Sequence, residues 1–108
     1  MKMAKMTKIE KGERKEFLAE IRAAGGDVFT FGDSRVTVAI VPGIPNSERV
    51  RTVQAAVAIC SEGDKFKRKR GELIAADRLL MGQSVPMQVG DADSFYDLAQ
   101  EMAFTVSR

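Results

Sequence analysis

The sequence predicts an α+β domain: a small, mostly antiparallel sheet of three or four strands with helices packed on one face, in the order α-β-β-β-α-(β)-α. Three observations carry this. Segments with apolar residues at helical spacing flank a central block rich in β-branched and aromatic residues. Glycine, proline and aspartate punctuate the chain at intervals that suit turns and caps. At 108 residues and 44% hydrophobic content, the chain suits a single core. One domain is expected over residues 7–108, with residues 1–6 a short polar end of the kind that is usually disordered.

Thr7 and Glu10 stand at capping-box spacing, in which hydroxyl and carboxylate each satisfy an amide left unpaired at a helix start. A helix is therefore expected from about Lys8 to Ala24, with Phe17, Leu18, Ile21 and Ala24 as its apolar stripe. Gly25 and Gly26 supply the left-handed residue that stops a helix. Residues 28–31 and 35–41 read as two strands, and Gly32, Asp33 and Ser34 between them make a hairpin turn. Pro42, Gly43 and Pro45 then end the second strand in a loop.

The segment 50–60 fits two patterns. Ser47 could cap a helix carrying Val50, Val53 and Val57, while Val53, Ala55, Val57 and Ile59 alternate as a strand requires. The alternation is the cleaner match, and small Ala56, Ala58 and Cys60 on the other face would admit a close helix. Asp64 is the expected cap of a helix over residues 65–81, closed by Gly82. Residues 83–89 form a short extended piece that Pro86 confines to an edge strand or a loop. Asp91 or Asp93 is then expected to cap a last helix, with Phe95, Leu98, Ala99 and Met102 on its buried face.

Composition excludes several functions. The chain has no histidine and one cysteine, Cys60, so it lacks the usual Cys/His zinc spacings and the Ser-His-Asp and Cys-His nucleophile arrangements. Gly25-Gly26 and the segment 42–45 match neither the dinucleotide fingerprint nor the phosphate-loop pattern. No cofactor, metal or catalytic residue is expected; carboxylate chemistry around Asp64 or Asp77 is the one enzymatic reading left. The apolar runs 36–41 and 55–60 are far shorter than the roughly 20 residues that span a bilayer, and the basic N-terminal stretch lacks the apolar segment of a secretory signal. A cytoplasmic protein is the simplest expectation.

The least ordinary segment is 64–71. It places five cations, Lys65, Lys67, Arg68, Lys69 and Arg70, among six residues at the start of a predicted helix. Cations there oppose the helix dipole and repel one another, each at a cost of roughly 0.3–1 kcal/mol, so folding does not call for them. The free amides of a helix start attract anions, and the five side chains would make the position a phosphate or carboxylate site. A solvated basic face is the plain alternative. Gly71 sits inside the same helix at a cost near 1 kcal/mol relative to alanine, which suggests close approach by another backbone or a ligand. Arg49 and Arg51 would extend the patch if they share its face. Asp77 is expected to form a structural pair with Lys69, Arg70 or Arg49 rather than to act on a substrate. Phe29, Phe31 and Tyr96 are read as core rather than as a base-stacking platform.

The run Val57-Ala-Ile-Cys-Ser-Glu-Gly-Asp-Lys-Phe-Lys-Arg-Lys-Arg-Gly71, followed by Ala75 and Arg78, resembles a strand-turn-helix segment of short uncharacterised bacteriophage accessory proteins. The resemblance covers about a fifth of the chain. It implies a phage or mobile-element product that binds a host protein or a nucleic acid in the bacterial cytoplasm, and it carries over no catalytic residue. The expected function is thus a non-enzymatic binding protein acting on a host macromolecule through a basic helix start, or a nucleic-acid-binding module contacting phosphates through residues 65–70. An uncovered edge strand would also support a homo-oligomer.

Overall fold

A computed structural model of the protein describes residues 8–43, 52–60, 67–89 and 94–106. The expectations for residues 1–6, for the caps Thr7, Ser47, Asp64, Asp91 and Asp93, and for Arg49, Arg51 and Lys65 lie outside them.

The first helix, α1, spans Lys8–Ala23 and buries Leu18 and Ile21, with Phe17 half-buried beside them. It stops where the sequence places its stop. Gly25 takes φ +88°, its N–H donates to the Arg22 carbonyl, and the Gly26 N–H donates to the Ile21 carbonyl at 2.9 Å. These two reversed bonds use carbonyls the helix would otherwise leave unpaired, and the left-handed φ favours a residue without Cβ. Ala24 lies past the helix end and is exposed, so it does not belong to the apolar stripe.

Four strands follow in one antiparallel sheet of order β1-β2-β3-β4: β1 Asp27–Phe31, β2 Val36–Pro42, β3 Thr52–Ile59 and β4 Val85–Gln88. The β1–β2 turn takes in Arg35 as well as residues 32–34. Phe31 pairs with Val36, and Arg35 adopts φ +58° with its N–H on the Gly32 carbonyl. Segment 52–59 is a strand, as its alternation indicates: Val53, Ala55 and Val57 face one way, Ala56 and Ala58 the other. β4 is an edge strand with Pro86 opposite Gln54. It pairs only with residues 52–55 of β3, and Arg78 Nη1 donates to the Val57 carbonyl at 2.7 Å, in the half of β3 that β4 does not reach.

The α+β class, the four-stranded sheet and the element order agree with the sequence reading; the position of the last helix does not. Helices α1 and α2 (Arg68–Leu80) cover one face, packing Ile21, Ala75, Ala76 and Leu79 on Ala39, Ala56 and Ala58. Helix α3 (Phe95–Val106) covers the opposite face, packing Leu98, Ala99 and Ala103 on Val36, Val38, Ile40, Val53 and Ala55. Helices therefore lie on both faces instead of one. The reason is visible in β2, where residues 36–40 all have 0% exposure. A strand apolar on both sides has to be covered on both sides.

Helix α2 ends at Leu80 and is closed by Gly82, with φ +80° and reversed bonds from Gly82 to Leu79 and from Gln83 to Arg78, as the sequence leads one to expect. Its described start is Arg68, three residues later than expected, with Lys67 extended at the N-cap. At α3 the cap is Ser94. Its Oγ accepts from the Asp97 N–H at 3.1 Å and donates to the Asp97 carboxylate at 3.0 Å, a reciprocal closure of the helix start. No helix among the described residues is long and apolar enough to cross a membrane.

Candidate functional site

The opening turn of α2 carries Lys67, Arg68, Lys69 and Arg70 with no acidic residue among its first positions and no side-chain cap on Lys67. The first intrahelical bond runs from the Gly71 N–H to the Lys67 carbonyl at 3.0 Å. Amides at the start of a helix have no carbonyl behind them within the helix, and as a class they favour an anion placed at its end.

Lys67 is extended at the N-cap and the helical positions of Arg68, Lys69 and Arg70 differ by about 100° each, so these cations do not all face one way. Arg68 and Lys69 are exposed, while Lys67 and Arg70 are half-buried. Arg70 turns toward a groove of about 450 Å³ between α1 and α2, which it lines with Glu13, Phe17, Asp77, Arg78 and Gln83. Asp77 is exposed on that groove and, among the described residues, forms no ion pair with Lys69 or Arg70, so the structural pair expected of it is not made there.

Arg68 already has a carboxylate. Its Nε lies 3.5 Å from Glu72, one helical turn on, and Arg14 of α1 approaches the other Glu72 oxygen at 3.5 Å. Glu72 is 6% exposed, and a buried carboxylate needs such partners to remain charged. Reading the sequence for cations alone passes over Glu72, although its i, i+4 spacing from Arg68 was the available signal. Arg14 could not have been found that way, because its contact depends on how α1 crosses α2.

Gly71 has a plain explanation. A Cβ there would stand 2.5 Å from Thr37 Oγ1, so the close neighbour is the sheet beneath the helix and not a ligand. The aromatic residues are also placed. Tyr96 lies 5.7 Å from both Phe29 and Phe31, edge-on to the first and tilted to the second, on the α3 face of the sheet. The basic turn belongs to the helix on the opposite face.

No family model, curated protein or solved structure matches the chain. Its site is therefore defined by its own residues. Cys60, expected as a small buried side chain, is only half-buried just past the end of β3. Its Sγ accepts from Arg35 at 3.4 Å, and its N–H donates to the Arg35 carbonyl at 2.9 Å.

Proposed function

We propose that the protein is a non-enzymatic binding module that holds the phosphate backbone of a nucleic-acid duplex at the opening turn of α2, through Lys67, Arg68 and Lys69. Lys65, Arg49 and Arg51, which lie outside the described residues, join them on sequence grounds, and Arg70 stands at the margin toward the groove. The observation that carries the reading is a helix start that, among the described residues, has no side-chain cap and bears four consecutive cations with no acid in its first turn. It presents donors and positive charge together at an additional cost to the isolated helix. A duplex is favoured over a single strand because the clustered aromatics sit on the other face of the sheet. Single-strand binders combine cations with rings on which bases stack, whereas duplexes offer mainly backbone and shape.

The test is fluorescence anisotropy with labelled duplex RNA, duplex DNA and single strands at two salt concentrations. Three phosphate contacts give a slope of log K against log salt near about −2.7, a loss of roughly 40-fold between about 50 and 200 mM salt. Lys67→Glu/Lys69→Glu removes two cations without touching Glu72 and abolishes binding. Failure of the wild type to bind any nucleic acid overturns the reading and leaves a host protein with an acidic surface as the partner to seek by pull-down.

A further inference from the structure

The face away from the basic turn carries a second feature. Between the β1–β2 turn and α3 runs a groove of about 370 Å³, lined by Phe31, Tyr96 and Phe104 together with Asp33, Ser34 and Gln100. Tyr96 and Phe104 are 50% and 61% exposed. The Tyr96 and Phe31 centroids are 5.7 Å apart at 45°, so the two rings form adjoining walls, and Phe29 supports Tyr96 edge-on from within. The Asp33 carboxylate forms no ion pair among the described residues. Arg35, next in the turn but one, directs its guanidinium to Cys60 Sγ and does not line the groove.

From this geometry we infer that the groove is a site for a quaternary, methylated ammonium group. The faces of aromatic rings are electronegative and attract cations, and a carboxylate beside them adds charge of the right sign. Apolar walls disfavour a strongly hydrated primary ammonium such as that of lysine. Methyl groups weaken that hydration and add apolar surface that the rings can cover. The site is independent of the nucleic-acid reading, since no residue is shared with the basic turn.

The test is a titration of the intact protein, followed by NMR shifts of the Phe31, Tyr96 and Phe104 ring protons. The probes are choline, its neutral isostere 3,3-dimethyl-1-butanol, and a short peptide carrying either trimethyllysine or lysine. Choline or the trimethyllysine peptide is expected to bind more tightly than the isostere and the lysine peptide; whichever of the two binds better identifies a free or a peptide-borne ligand. Tyr96→Leu, which keeps an apolar wall, and Asp33→Asn, at an exposed turn position, should each weaken binding by about two- to fivefold. Lys67→Glu/Lys69→Glu should leave it unchanged. Equal binding of the neutral isostere, or no saturable shift with any cation while the protein remains folded, overturns the assignment.

Discussion

Gly71 and Thr37 meet where α2 crosses the sheet, so closely that a Cβ on Gly71 would stand 2.5 Å from Thr37 Oγ1. Thr37 is fully buried and, among the described residues, its hydroxyl has no hydrogen-bond partner. A β-branched side chain is stiff at χ1, so the Thr37 hydroxyl does not readily swing out of the way of an added methyl group. Gly71→Ala would gain up to about 1 kcal/mol of helix propensity and lose about 1–3 kcal/mol to overpacking. We expect a net loss near 1 kcal/mol in urea unfolding. Adding Thr37→Ala should recover part of it through coupling of the two sites, and a double variant that is simply additive would refute the contact.

Thr37→Val keeps the shape of the side chain and removes a buried hydroxyl that no described residue satisfies. It should raise stability by about 1 kcal/mol, since no hydrogen bond is lost and the desolvation penalty disappears. Equilibrium denaturation decides the sign.

Glu72 should show an asymmetry between its two arginines. The Arg14 side chain is 20% exposed and that of Arg68 is 75% exposed, so water screens the second pair far more than the first. Glu72→Ala should cost about 2–3 kcal/mol because it strands Arg14 between the helices. Arg68→Ala should cost no more than about 0.5 kcal/mol. Thermal melts of Glu72→Ala, Arg14→Ala and Arg68→Ala in one buffer would check the order, and an Arg68 effect larger than that of Arg14 would contradict it.

Arg78 holds the Val57 carbonyl where β3 runs beyond β4. Unpaired strand edges invite pairing with another chain, and a charged side chain laid across one discourages it. Arg78→Ala should cost only about 0.5–1.5 kcal/mol, yet it should increase concentration-dependent light scattering. A variant that stays as monodisperse as the wild type would show that the edge is protected by other means.

Lys69 is exposed in the opening turn of α2 and makes no ion pair among the described residues. If it contacts one phosphate, Lys69→Ala should weaken all duplexes alike and reduce the salt slope by about 1. Anisotropy at four salt concentrations would separate this from a loss confined to one sequence.

Some of this protein was determined by its sequence alone, wherever neighbouring residues were enough to decide. Gly25 and Gly82 end their helices because a left-handed residue is needed there. The alternation at 53–59 makes a strand, and the cations at 67–70 fall on one helix turn because they are consecutive. What only the tertiary structure decided depends on residues far apart in the chain. The apolar stripe of α3 was legible, but which face it covers was settled by the two-sided burial of β2. Gly71 was legible as an anomaly, and its cause, Thr37, lies 34 positions away across the sheet. Arg14 reaches Glu72 only because α1 and α2 share a face, and the aromatics stand opposite the cations only because α3 does not. Spacing within an element is set by the repeat of helix or strand, which a sequence displays directly. The pairing of elements is set by complementary surfaces whose partner no local pattern names.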